Sequence, residues 1–378
     1  MRKLSRLIIL LLILAAAGLT YRAALAQQGE YNLYFPLVAA EPQSAPTATR
    51  TPVPTRTITP SPTPMVTPLP PEIFSTSYYM NTVNPAKFYD LGCAQGQRDL
   101  ALPGAQDSVV ILDFGQAAGE NGQYGVWLFN VITFQPTANL IPAIQEFGRG
   151  YWVCSGADRQ SKVTVGIGTS NYGSWFRNTT NSYANARNHG AAWAQMVRQV
   201  NEYLAAGGYA GQVLVVGAID MELSWSGPLP ARAWVEGFNA NDQEKYRYYN
   251  FGDCAGCPSI YHPGWSPTNG WTLWDVWYTS WGAQPAWPLP LIYADDGINA
   301  YQWQWLSRYS VINYNSKILF KGPMTQYQAC QQVGGCEAIH LDNTPLEGWS
   351  QLWEALNSDS RTSQDSLPWS TDIKYYYR

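Results

Sequence analysis

"GQVLVVGAIDMELSW" (residues 211–225) opens as an unbroken apolar run and closes on two acids, Asp220 and Glu222, with Trp225 just beyond. A strand that is apolar on both faces is buried on both, the signature of a parallel sheet covered by helices. Side chains alternate along a strand, so Leu214, Val216, Ala218, Asp220 and Glu222 share one face. Both acids therefore point the same way from the C-terminal end. N-capping explains one acid there; it does not explain two.

Similar short apolar runs recur on either side. Strands read at "VVILDF" (109–114), "VTVGIG" (163–168), "QVLVVGAIDME" (212–222), "RYYNFG" (247–252), "LPLIYA" (289–294), "KILFKG" (317–322) and "AIHLD" (338–342), with "VWLF" (126–129) as a further strand. Helical patterns separate them. The clearest is "HGAAWAQMVRQVNEYLAAGGY" (189–209), in which Trp193, Met196, Val197, Val200 and Leu204 recur at spacings of three and four before Gly207 and Gly208 stop the helix. In "TLWDVWYTSWG" (272–282), Trp274, Trp277 and Trp281 read as the buried stripe of a helix. Alternating strands and helices give an α/β fold. No Gly-rich phosphate turn opens any helix, and the length suits a decorated barrel, so the expectation is a (β/α)8-type TIM barrel, irregular in places, over residues 73–378.

Upstream, residues 1–26 read as a secretory signal peptide: a basic "MRKLSR", the apolar "LIILLLILAAAGL" and a small-x-small "ALA" before Gln27. A short N-terminal segment follows (27–41), containing "YNLYFPLV", and then a Pro/Thr-rich disordered linker (42–72). Residues 42–71 hold ten prolines and eight threonines, a composition that favours an extended, semi-stiff spacer. All 17 tryptophans lie in the domain that follows. The expected location is secreted or at the cell surface, with no membrane association once the signal is cleaved.

The formal net charge of −4 gives no basic footprint for nucleic acid. Six cysteines in an exported chain read first as disulfides; the near neighbours Cys254/Cys257 and Cys330/Cys336 suggest local staples and leave Cys93 with Cys154, the simplest of fifteen pairings. His189, His262 and His340 stand far apart without ligand spacing, so no metal or other cofactor is expected. Neither a G-x-S-x-G elbow nor an H-E-x-x-H helix occurs.

Other strand exits carry acids as well: Asp113 after "VVIL", Asp295 and Asp296 after "LIYA", Asp342 after "AIHL". In a barrel these exits converge at one mouth. Clustered carboxyls raise one another's pKa, so one stays protonated while a neighbour ionises, the division of labour that glycoside cleavage needs. Single acids such as Asp253, Asp295 and Asp296, taken alone, read first as turn formers or caps. Sugars stack on indole and bond to planar polar groups, which makes Trp225, Tyr293, Asp295 and Gln326 the candidate substrate-binding residues.

The acid of "ILDFG", the Asp-x-Glu of "AIDMEL" and the acid ending "IHLD" together resemble the constellation of the family 25 lysozyme-like glycoside hydrolases, β/α-barrel enzymes that cleave peptidoglycan. The Asp-x-Glu ending is similar also to family 18 chitinases, whose preceding aspartates are replaced here by Gly217 and Ala218. The resemblance implies Glu222 as proton donor, Asp220 as the group that orients it or stabilises a substrate-derived intermediate, and Asp113 and Asp342 as residues that tune and position the pair. It implies a monomeric hydrolase acting on peptidoglycan or another polysaccharide. Two departures stand out: the loop holding Cys254 and Cys257 has no match, and the Asp-x-Glu strand is the third readable one where the family places it fourth. A degenerate barrel that binds glycan without cutting it is the alternative.

Overall fold

The computed structural model describes residues 74–377, apart from 132, 174 and 177–179. The signal peptide, N-terminal segment and linker lie outside the described residues.

Eight parallel strands curl into a partial barrel: β1 (Ser75–Tyr79), β2 (Asp107–Glu120), β5 (Lys162–Ser170), β6 (Val213–Asp220), β7 (Tyr248–Asn250), β8 (Ala286–Pro288), β9 (Met324–Thr325) and β10 (Thr371–Tyr375). Their spatial order is β8-β7-β6-β5-β2-β1-β10-β9. At the two ends of this path, Met324 donates its N–H to the Pro290 carbonyl (2.9 Å) and accepts from Ile292 (2.9 Å), an isolated bridge that brings the segment after β8 against β9. Antiparallel β3 (Gln123–Trp127) and β4 (Phe134–Pro136) extend from the outer half of β2.

Helices occupy the connections: α1 (Pro85–Ala101), α2 (Thr137–Cys154), α3 (Ser182–Ala206), α4 (Pro228–Asn239), α5 (Leu273–Trp277) with a π-helical turn over Tyr278–Gly282, α6 (Ile298–Tyr314), α7 (Tyr327–Val333) and α8 (Pro345–Asn357). Helix α3 buries Trp193, Met196, Val197, Val200 and Leu204 and stops at Gly207 and Gly208, the latter at φ +77. This is the periodicity and the stop that the sequence predicts.

Strand alternation produces two cores. Outward residues such as Val110, Leu112, Val165, Val215 and Ile219 pack under the helices. Inward residues, among them Val109, Ile111, Val216, Ala218, Tyr249, Phe251, Leu291, Met324 and Ile373, form a separate cluster inside the curl. Burying both faces is what makes the strand runs continuously apolar.

Several sequence readings need correction. Residues 317–322 form no strand. Ile318 and Phe320 are buried and Leu319 is exposed, as in a strand, but the Gln364 side chain substitutes for a ladder, accepting from Phe320 N (3.1 Å) and donating to its carbonyl (2.9 Å). Nor is 338–342 a strand: a 3₁₀ turn covers Glu337–Ile339, and His340 takes a left-handed φ of +56 that ends any extended run. Strands β1 and β10 take places the sequence reading left empty. The tryptophan stripe is borne out only in part: Trp277 and Trp281 pack partly buried against the core, but Trp274 is 37% exposed, and Asp275, Val276, Thr279 and Ser280 are the buried residues of the segment. The inward Asp275 is held by Arg232 at 2.7 Å and by its capping box with Thr272.

Three disulfides form, Cys93–Cys154, Cys254–Cys257 and Cys330–Cys336. Among the described residues no helix is long and apolar enough to cross a membrane.

Candidate active site

Parallel strands deliver their C-terminal ends to one rim, and inward parity decides which side chains gather there. Along β2 the inward sequence is Val109, Ile111, Asp113; along β6 it is Val216, Ala218, Asp220, continued by Glu222; along β7 it is Tyr249, Phe251, then Asp253. Tyr79 ends β1 on the same face, and Tyr293 follows the β8 segment after Leu289 and Leu291. On β5, between β2 and β6, the inward positions are Gly166 and Gly168. A Cβ on Gly168 would lie 2.8 Å from the Asp113 Cα, and one on Gly166 would lie 2.4 Å from Ile111 Cδ1 and 3.0 Å from Ala218 Cβ. Those two absent side chains give the residues of β2 and β6 room to approach one another.

The result is a nest of four carboxyls close enough to act on one another. Asp113 (1% exposed) and Asp220 (7%) are buried, while Glu222 and Asp253 are half-buried. Asp113 Oδ1 accepts from Gly115 N (2.9 Å), whereas Asp113 Oδ2 and Asp220 Oδ1 have no hydrogen-bond partner among the described residues. Asp253 accepts from Leu223 N at 3.0 Å. No salt bridge among the described residues reaches any of the four.

Without a cation, burial and like charge work in the same direction, disfavouring the ionised forms. Burial raises Glu222 to about 8, with the neighbouring Asp253 adding to the effect. Burial raises Asp113 to about 7 against the opposing Gly115 amide bond. Burial raises Asp253 to about 6, limited by the amides of Leu223 and Ala255. Asp220 is raised well above the carboxylate range, by burial first and then by Glu222, Asp113 and Asp253. Tyr79 and Tyr293 share a hydrogen bond and are pushed up mainly by burial, with Asp220 contributing to both. All four carboxyls are therefore shifted towards holding their protons above the ordinary carboxylate range.

Asp113, Asp220, Glu222 and Tyr293 are thus brought together as the sequence reading expects. Trp225 stands beside them: its N–H bonds the Glu222 carbonyl (3.1 Å) and its ring meets exposed Tyr172 edge-on at 5.4 Å. Three further predicted residues, Asp342, Asp295 and Gln326, make their own contacts around residues 340–342. Asp342 sits past the 3₁₀ turn, where its charge acts on His340; the acids that act on Asp220 are Glu222, Asp113 and Asp253. Asp295 is exposed and bonds His340 Nδ1 at 2.9 Å, and Gln326 donates to the Leu341 carbonyl at 3.1 Å. All three interact with the 340–342 loop, a consequence of the missing strand there.

Sequence reading underweighted Asp253 and missed Tyr79, Asn171 and Tyr172. Asp253 was within reach, because it continues the parity of Tyr249 and Phe251. Tyr79 was not, since "STSYY" lacks the apolar run that marks the other strands. Among the described residues no group of three or more His, Cys, Asp or Glu side chains is arranged to hold a metal ion. Comparison with known proteins finds no matching family model, no matching curated protein and no matching solved structure.

Proposed function

We propose that this chain is an exported glycoside hydrolase-like protein on a (β/α)8-type barrel, cleaving peptidoglycan or another extracellular polysaccharide by carboxylate acid/base chemistry. The observation that carries the reading is the nest of Asp113, Asp220, Glu222 and Asp253 at the exits of the parallel strands β2, β6 and β7, with no salt bridge to any of them among the described residues. Glu222, raised to about 8, keeps its proton at neutral pH and supplies it to the leaving glycosidic oxygen. Asp220, whose Oδ1 has no hydrogen-bond partner among the described residues, orients Glu222 or stabilises the developing positive charge, and Asp113 tunes the pair from below. Trp225 and Tyr172 offer aromatic surface at the rim for a sugar ring. Counting β1, the Asp-x-Glu strand is the fourth parallel strand in chain order (β1, β2, β5, β6), which removes one of the two departures from the family 25 pattern. Three disulfides and the N-terminal sequence suit an extracellular setting.

The test is turbidity loss and reducing-sugar release from purified cell walls, comparing the native protein with Glu222→Gln. Removing a general acid lowers the rate on the order of 10²-fold or more. Equal rates would remove Glu222 from the mechanism. Glycan binding that persists in both proteins without turnover would favour a binding function.

A further inference from the structure

Beyond Asp220, strand β6 leaves the regular sheet, yet the next three residues are not loose. On the β5 side, Asn171 is fully buried and donates its backbone N–H to the Asp220 carbonyl (3.2 Å). Its side-chain amide then does what a neighbouring strand would do: Oδ1 accepts from Glu222 N (3.1 Å) and Nδ2 donates to the Glu222 carbonyl (2.9 Å) and to Ser226 Oγ (3.0 Å). On the β7 side, Asp253 N donates to the Met221 carbonyl (3.3 Å) and Asp253 Oδ1 accepts from Leu223 N (3.0 Å). The Asp253 carboxylate also takes the Ala255 amide, inside the turn stapled by Cys254–Cys257 and closed by Cys257 N to the Cys254 carbonyl at 2.9 Å.

We propose that Asn171 and Asp253 are positioning residues for Glu222, their side chains extending the hydrogen-bond ladder of β6 by one step on each side. This rests on the hydrolase reading for its purpose but not for its test. The geometry has a chemical rationale. A regular strand places every inward residue at a fixed depth, whereas an acid that must meet a substrate oxygen needs rigid placement past the last ladder rung. Misplacement by about 1 Å costs on the order of 10² in rate. The Asn171 amide pairs with both main-chain groups of Glu222 because it carries a donor and an acceptor, as the Gln364 amide does with Phe320. Asp253 has the second consequence of setting a negative charge beside Glu222. The other titratable groups facing the pair are Asp220 of β6, Asp113 of β2, Tyr79 of β1 and Tyr293 after β8.

The full-length protein serves for two substrate-free measurements on the native form, Asn171→Ala, Asp253→Ala and Asp253→Asn. The first is amide hydrogen exchange over residues 221–223. The second is infrared titration of the Glu222 carboxyl, identified by its loss in Glu222→Gln. Exchange should speed at least tenfold in Asn171→Ala and Asp253→Ala, while Asp253→Asn, which keeps an acceptor oxygen, restores protection. The Glu222 midpoint should fall in Asn171→Ala, as the side chain moves towards water. It should fall in Asp253→Asn too, as the adjacent charge disappears. Native-like exchange in both alanine variants, or an unmoved midpoint in Asn171→Ala, would overturn the proposal. If Asn171→Ala does not fold, the contrast between Asp253→Ala and Asp253→Asn decides it. Absence of cell-wall turnover in the native protein would count against the hydrolase reading alone.

Discussion

Replacing Asp113 by asparagine should stabilise the protein, and mainly at high pH. Asp113 is 1% exposed, its Oδ2 has no hydrogen-bond partner among the described residues, and burial raises it from 3.8 to about 7. A carboxyl raised on folding binds its proton more tightly in the native state than in the unfolded chain. Its stabilising contribution is therefore complete below about 4 and is lost progressively as pH climbs to about 7. A shift of about three units corresponds to about 4 kcal/mol, an upper bound because ionisation of Asp113 and Asp220 is linked. The substituted carboxamide would keep the acceptor for Gly115 N and leave one polar atom unpaired, as protonated Asp113 does, so at pH 4.5 Asp113→Asn should be ahead by only about 1 kcal/mol. Urea unfolding at pH 4.5 and 8.5 gives the comparison. The advantage of Asp113→Asn should grow by about 2–4 kcal/mol between the two pH values. An advantage equal at both would show that Asp113 ionises freely and that the nest is not built as described.

Gly168→Ala should push its new Cβ to 2.8 Å from the Asp113 Cα and destabilise the fold by about 1–3 kcal/mol, read from the urea midpoint. Gly211→Ala, which meets nothing within 4 Å, should be close to neutral and serves as the control. His189 is fully buried, accepts from Trp234 Nε1 at 3.0 Å, bonds the Gly125 carbonyl at 2.8 Å, and is lowered by burial from 6.5 to about 4. Here the sign reverses: stability is intact above about 6.5 and falls as pH drops towards 4. Its loss amounts to about 3 kcal/mol, and His189→Gln should flatten that acid limb in an unfolding series even if it is less stable at neutral pH.

How much of this was legible in sequence follows from which residues carry long-range information. Strands β2, β5 and β6 are apolar on both faces, and their parity alone put Asp113, Asp220 and Glu222 on one side. Helix α3 announced itself by period and by its glycine stop. β1 and β10 did not, because "STSYY" and "TDIKY" line the inner face with Ser75, Ser77 and Thr371, whose hydroxyls are satisfied within the sheet, as in the Ser77–Thr371 contact at 2.7 Å. Propensity has nothing to say about such pairs. The false strand at 338–342 had the right composition, but a left-handed His340 and the Cys330–Cys336 staple compete with extension locally. Gaining β1 added Tyr79. Asp253 and Asn171 were hidden for a different reason: their importance lies in what their side chains bond across the sheet, at positions 30 and 51 residues distant in sequence.

Glu222 is proposed to keep its proton at neutral pH because it shares its nest with other acids and no described cation pairs with it. Isotope-edited infrared or carbon NMR titration of that one carboxyl, assigned by comparison with Glu222→Gln, tests it directly. The midpoint should lie near 8, as burial and Asp253 dictate. A midpoint at the ordinary 4.5 would contradict it, and with it the assignment of Glu222 as proton donor.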